Sequence, residues 1–246
     1  MSLVTRANLP MICADVSAMR ISLREKLRGT GVARIAGIDE AGRGALAGPV
    51  VAAAVVLPEK FRHRRLNDSK QLAPELREEI HSDLVSNPEV RWTVGAVDSV
   101  EIDRINILRA SHRAMRMAIT ALIDPPDHVL IDGLPVIPFP LPQTAIIDGD
   151  CISLTIAAAS VIAKVTRDRM MRDFCAQFPQ YCFHQHKGYG TELHLLKLHE
   201  FGPCPIHRRS FEPVAQPLLA LEEVARIRPS PARRSRREVG VSLSEA

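Results

Sequence analysis

Three short apolar runs in this chain lead directly into carboxylates, and no other feature restricts its possible folds as much. Residues 34–39 (RIAGID) bring in Asp39 and Glu40, residues 128–132 (HVLID) close on Asp132, and residues 144–147 (TAII) lead to Asp148 and Asp150. Short apolar runs of this kind read as buried strands. Acids just beyond such strands project from the end of a sheet, where α/β folds build their sites. Gathered there, like charges repel unless cations neutralise them. An all-oxygen donor set suits the hard divalent ions Mg²⁺ and Mn²⁺, and a pair of such ions can serve phosphodiester hydrolysis. Each acid taken alone also fits a helix cap or a solvated turn; their shared placement is what points to metal.

Around these runs the pattern is that of a mixed sheet flanked by helices, an α/β class with a helical C-terminal part. Residues 49–57 read as a second buried strand bounded by prolines, and residues 91–97 alternate like a third. Residues 74–85 are helical, with Pro74 suited to the first turn. The spacing predicts one long amphipathic helix over 101–122, capped by Ser99 and closed before Pro125-Pro126. A further helix covers 153–175, and another covers 191–201, capped by Thr191 and stopped at Gly202-Pro203. Residues 1–33 read as a leader with a short helical pattern at 19–27. Residues 215–246 form a basic tail, rich in Arg, Ser and Pro from about 226 and expected to be disordered.

Composition narrows the class. With 246 residues, 46% of them hydrophobic, the chain can bury a core without disulfide staples, as one sizeable domain with appendages or as two small ones. The longest apolar run, 45–57, is broken by Gly48 and Pro49 and is too short for a membrane span. Residues 1–10 lack a signal-peptide pattern, so a soluble, cytoplasmic protein is expected. Five cysteines, an odd number without a Cys-x-x-Cys pair, suggest reduced buried thiols. Aromatic residues make up only 4%, which disfavours a broad base-stacking surface, and a net charge of +4 permits a polyanionic partner without requiring one.

Two glycine-flanked segments suit close contact with a ligand. Gly42, Arg43 and Gly44 follow the first acids and leave backbone amides accessible to a sugar or phosphate, although a tight turn is the plainer reading. The next glycine is Gly48, one residue too late for a dinucleotide fingerprint, and no helix opens there. Lys187-Gly188-Tyr189-Gly190-Thr191 offers a lysine and a stacking ring, or merely the turn that starts a helix. His184, His186, His194, His199 and His207 lie near Cys182 and Cys204, in spacings that match no zinc motif. Lys164, Arg167, Arg169 and Arg172 spread along one helix, as a solvated face or as a stripe turned to phosphates.

Several blocks, in order, closely resemble bacterial ribonuclease HII. They are GIDEAGRG at 37–44 with LAGPVVAAA at 46–54, NDSK at 67–70, INILRAS at 105–111 and LIDG at 130–133. DGD at 148–150, AASVIAKVTRD at 158–168, HKGYGT at 186–191 and HRRSF at 207–211 complete the series. The resemblance spans about 34–214, which it marks as a catalytic domain between the leader and the tail. It implies an RNase H-like fold and an endoribonuclease that hydrolyses the RNA strand of RNA/DNA hybrids. It further implies incision 5′ to single ribonucleotides embedded in duplex DNA, leaving 3′-hydroxyl and 5′-phosphate ends.

Carried onto this chain, the resemblance makes Asp39, Glu40, Asp132 and Asp150 the catalytic, metal-binding carboxylates for two ions of Mg²⁺ or Mn²⁺. Asp148 becomes a neighbour, since relatives carry a basic residue there. Gly42, Arg43 and Gly44 fall on the segment that contacts the ribonucleotide around its 2′-hydroxyl, and Tyr189 on the tyrosine that works with it. Lys70, Lys164 and Lys187 are phosphate-contact candidates. Ala45, Gln71 and Cys182 depart from the family's usual proline, lysine and glycine; Ala45 is expected to loosen the glycine segment slightly. A monomer acting on RNA/DNA hybrid and on ribonucleotide-containing duplex is expected. The tail carries no clear clamp-binding motif of glutamine, aliphatic and paired aromatics, and its Arg233, Arg234, Arg236 and Arg237 add either DNA attraction or solubility.

Overall fold

The computed structural model describes residues 27, 29, 31–66, 69, 72–212, 214 and 215. The expected helical pattern at 19–27 apart from Leu27, the candidate Lys70, the departure at Gln71 and the tail beyond Ala215 lie outside the described residues.

Five strands form one sheet in the order β3-β2-β1-β4-β5, with β1 Ile35–Ala41, β2 Val50–Val56, β3 Arg91–Val97, β4 His128–Asp132 and β5 Gln143–Ile146. β2 pairs antiparallel with both β1 and β3, whereas β4 runs parallel to β1 and to β5. Pleat alternation sends Ala36, Ile38, Val50, Ala52 and Ala54 to one face of the sheet, and Ala53 and Val55 to the other. The first face is covered by α2 (Ser99–Ile105) and α3 (Ile107–Thr120), through Ile102, Ala110, Ala114 and Ala118. The second is covered by α1 (Pro74–Ser86) and α5 (Leu154–Gln177), through Ile80, Leu84 and the run Ala157, Ala158, Ala159. Small side chains let α5 lie directly on β1: a Cβ at Gly37 would run into the Thr155 backbone.

One expected helix is two. The segment 101–122 breaks at Asn106, whose φ of 70° closes α2 while its side chain accepts the Arg109 N–H at 3.0 Å and opens α3. Asp98, rather than Ser99, caps α2 by accepting the Glu101 N–H at 2.8 Å; the hydroxyl of buried Ser99 instead donates to the Pro205 carbonyl. Beyond α5, a 3₁₀ turn at Pro179–Tyr181 leads to α6 (Phe183–His186) and α7 (Glu192–Phe201), completing a helical C-terminal part. Of the four described thiols only Cys204 is buried; Cys151, Cys175 and Cys182 are half-buried, so the buried-thiol expectation holds for one of them. No helix among the described residues is long and apolar enough to cross a membrane.

Candidate active site

Two of the acid-bearing runs do not end where the sequence suggests. β1 continues through Glu40 to Ala41 because antiparallel β2 keeps pairing with it, as far as Ala41↔Val51. Its parallel pairing with β4 ends at Ile38↔Ile131, which sets the next residues, Asp39 and Asp132, side by side at the edge of that ladder. Both point to the α5 face, as their strand positions two residues after Gly37 and Leu130 require. β5 stops at Ile146, so Asp148 and Asp150 lie beyond a strand end rather than on it. Asp148 is exposed with a φ of 56°, and Asp150 is buried in the four-residue α4 (Gly149–Ile152). The Gly149 N–H donates to Asp132 Oδ1 at 2.7 Å, which ties α4 to the end of β4.

Burial raises the Asp39 carboxyl well above the usual carboxylate range, and the neighbouring charges of Asp132, Glu40 and Asp150 push it the same way. The Glu40 N–H, donating to Asp39 Oδ1 at 2.6 Å, opposes that shift only in part. Four carboxylates thus act on one another around a buried aspartate, and their oxygens fit a hard divalent cation. Among the described residues no three or more His, Cys, Asp and Glu side chains are drawn closely enough to hold a metal by themselves.

The glycine segment after β1 rests on two arginines whose role the sequence did not reveal. Arg208 is fully buried and donates to three carbonyls: Gly42 at 2.7 Å, Arg43 at 2.8 Å and Gly48 at 3.0 Å. Arg167, equally buried, donates to Pro49 at 2.9 Å, Ala47 at 3.1 Å and Lys187 at 2.9 Å. Burial, with Arg167 close by, pulls the Arg208 guanidinium down to about 9. Because a trans peptide sets its N–H opposite its C=O, carbonyls turned to Arg208 direct the Arg43 and Gly44 amides away from it. Gly42 needs its φ of 93° for this path, and a Cβ there would run into the Arg167 side chain; a Cβ on Gly44 would meet nothing.

Neither reading of the basic helix survives for Arg167, which faces the protein's own carbonyls rather than solvent or phosphate. Arg169 and Arg172 pair with Glu78. Lys164 donates to Asp168 Oδ1 at 2.7 Å, and Lys187 donates to the His184 carbonyl, so both lysine ammoniums have partners within the protein. Burial lowers both lysines below the ordinary ammonium range. Ser69, the sequence neighbour of Lys70, is buried and shares a hydrogen bond with Ser160 at 2.6 Å, and its carbonyl accepts from Arg77 at 2.8 Å. Arg43 reaches back to Glu40 Oε1 at 3.0 Å.

Tyr189 comes to the glycine segment through its backbone, in an isolated bridge with Ala45. Its half-buried ring has Arg167 at 5.3 Å and Lys164 at 5.5 Å from the centroid. The Ala45 N–H, which proline would lack, donates to the Gly42 carbonyl at 3.4 Å. Three of the five clustered histidines, His186, His194 and His207, meet in the core of the C-terminal part, where hydrogen bonds to the protein occupy both nitrogens of every ring.

The family profile described as Ribonuclease HII matches residues 36–214. The chain belongs to the ribonuclease HII family. The ribonuclease HII of Geobacter metallireducens is 52% identical over 182 residues, 74% of this chain and 85% of that relative. Among solved structures, the ribonuclease H2 of Pyrococcus horikoshii superposes with a TM-score of 0.65 at 26% identity, over 78% of this chain and all of that one. The ribonuclease HII of Archaeoglobus fulgidus, solved in its complex with PCNA, does so with a TM-score of 0.63 at 26% identity, over 74% and 96% of the two chains. The fold is therefore RNase H-like, and the enzyme is a ribonuclease H that hydrolyses phosphodiester bonds in the RNA strand of RNA/DNA hybrids.

Proposed function

We propose that this enzyme also incises duplex DNA 5′ to a single embedded ribonucleotide, leaving 3′-hydroxyl and 5′-phosphate ends, with Mg²⁺ or Mn²⁺ held by Asp39, Glu40, Asp132 and Asp150. The observation that carries this reading is the backbone bridge between Ala45 and Tyr189, which brings a stacking ring to the glycine segment that follows Asp39 and Glu40 on β1. Amides of Arg43 and Gly44, turned away from Arg208, meet a sugar's 2′-hydroxyl, the group that distinguishes ribose from deoxyribose. Deoxyribose would leave those donors unpaired, and a polar site discriminates strongly in this way. Tyr189 then packs on the sugar beside the junction.

Asp39 is the shared ligand in this reading, because it is buried and the charges of the other three acids all act on it. Asp132 is oriented by the Gly149 amide and Glu40 by Arg43, so each presents its remaining oxygen lone pairs in a set direction. Two bound divalent ions supply activation of the attacking water and stabilisation of the departing 3′ oxygen. Lys164, Lys187 and Lys70 contribute positive potential toward the phosphates, the first two while bonded within the protein.

The test is cleavage of an end-labelled DNA duplex carrying one ribonucleotide, with Mg²⁺, with Mn²⁺ and with chelator, by wild type and by Asp39→Asn. Metal-dependent incision 5′ to the ribonucleotide, lost in the variant, is the expected result. Cleavage of a long hybrid without incision of the single-ribonucleotide duplex would overturn the junction reading and leave the ribonuclease H activity in place.

A further inference from the structure

His186, His194 and His207 take no part in the carboxylate site, yet two of them form a chain that ends on Tyr189. The amide N–H of Cys204 donates to His207 Nδ1 at 3.0 Å, so that nitrogen carries a lone pair and the proton of the neutral ring lies on Nε2. His207 Nε2 is 3.0 Å from His194 Nε2, which must therefore accept. The His194 proton is left on Nδ1, and it donates to the Tyr189 carbonyl at 2.9 Å. The Cys204 thiol lies 3.1 Å from the same His207 Nδ1 and shares its lone pair as a second donor, so one tautomer assignment is consistent with all of these contacts. His186 obeys the same logic, accepting the Gly188 N–H on Nδ1 at 3.2 Å and donating from Nε2 to the Tyr181 carbonyl at 2.8 Å, with its ring stacked 4.3 Å from that of His194.

The two ends of this chain are also the two points that clip the glycine segment. Tyr189 bridges Ala45, and His207 bridges Ala47. The imidazole pair thus cross-links from behind the two backbone strips that flank residues 45–47. Phe183 packs edge-on to both His186 and His194, and Tyr181 edge-on to His207, which excludes water from the rings.

We propose that His194 and His207 are positioning residues for ribonucleotide recognition: their neutral two-imidazole relay sets the backbone of Tyr189, and through it the ring, against the glycine segment. This rests on the reading that Tyr189 meets the ribonucleotide. Burial, reinforced by the neighbouring imidazoles, holds both rings neutral, at about 4 for His194 and about 4 for His207. His186 acts on both, and Arg209 acts on His207, each in the same direction. A proton added to either ring would put two N–H groups face to face within the chain.

The experiment is a double-mutant cycle on the full-length enzyme, read as kcat/KM for a duplex carrying one ribonucleotide: Tyr189→Ala, His194→Gln and the pair. Gln reaches the Nε2 position and lacks the donor to Tyr189, whereas His194→Asn places an amide nitrogen near the Nδ1 position. His194→Gln is expected to lose about tenfold or more through misplacement of Tyr189. His194→Asn should recover most of that loss, and the double variant should be no worse than Tyr189→Ala. Losses that multiply in the double variant overturn the relay. So does a folded His194→Gln of wild-type activity when Tyr189→Ala is impaired. A silent Tyr189→Ala instead overturns the reading of Tyr189 itself. Should the His194 variants fail to fold, ¹⁵N-histidine NMR of the wild type decides: the relay requires Nδ1–H on His194 and Nε2–H on His207. The opposite tautomer on His194, or a cationic ring at neutral pH, rules it out.

Discussion

Cys182 shows how one residue can carry a cost that the rest of the fold absorbs. It holds a φ of 57°, in the left-handed region where a Cβ crowds the following carbonyl. The ribonuclease HII resemblance puts glycine at this position, and the geometry supplies the reason. Cys182→Gly is expected to stabilise the enzyme by about 1 kcal/mol, measured by urea unfolding, with the gain reduced by glycine's greater freedom in the unfolded chain. Asp39 is destabilising for a different reason. Its folded carboxyl titrates above its unfolded value, so the folded state holds the proton more tightly. The penalty is absent well below the unfolded value, grows as pH rises toward the raised one, and is complete above it. Asp39→Asn should therefore raise Tm at neutral pH in chelator by about 2–4 °C while abolishing cleavage. Divalent metal should narrow that gap by stabilising the wild type alone. An unchanged Tm in chelator would show that the buried charge is neutralised within the protein.

At the scale of elements, the break at Asn106 gives α2 a task that a single long helix could not perform. Turned away from α3, α2 presents Asp103 to the segment after Arg208: Oδ2 accepts the Arg209 N–H at 2.8 Å, and Oδ1 accepts the Ser210 N–H at 2.9 Å and the Ser210 hydroxyl at 2.6 Å. That carboxylate anchors the turn from which Arg208 reaches the carbonyls of the glycine segment. Asp103→Ala is expected to cost about 1–3 kcal/mol in urea unfolding. KM for duplex should rise more than kcat falls, because the damage is to the segment that binds. A drop in kcat alone, with KM unchanged, would place the effect at the carboxylates instead. The amphipathic pattern over 101–122 hid this break, since both helices keep apolar residues toward the same sheet face, as Ile102 and Ala110 do.

For the whole molecule, the family match covers residues 36–214, and a catalytic unit of 34–214 with appendages on either side is a proposal that truncation tests. Removing 216–246 is expected to leave kcat on RNA/DNA hybrid unchanged. It should also make duplex binding less sensitive to salt, by up to about 0.9 in the log–log slope for each phosphate contact that Arg233, Arg234, Arg236 and Arg237 supply. Loss of hydrolysis on truncation would place part of the catalytic unit in that segment.

Much of this was legible in the amino-acid order, because some signals are local. Apolar runs followed by acids marked β1, β4 and the approach to α4, and the Thr191 cap and Gly202 stop bounded α7 through contacts made within one or two turns. The carboxylates stood out because each follows an apolar run, whereas the glycine segment, by itself read as a tight turn, took its role from the ribonuclease HII resemblance. Only the tertiary structure decided what long-range pairing controls. Parallel β4 ends its ladder at Ile38 and so sets Asp39 beside Asp132, a neighbourhood that follows from strand register across 93 positions of chain. Arg167 and Arg208 read as ordinary basic residues because nothing local marks an arginine most of whose partners are carbonyls more than a hundred residues away. The histidines matched no spacing pattern because their order lies in a hydrogen-bond chain closed by packing, in which each ring's tautomer depends on its neighbour. Local propensity is written along the chain, whereas the charge, proton and carbonyl arrangements that make the site exist only where distant segments meet.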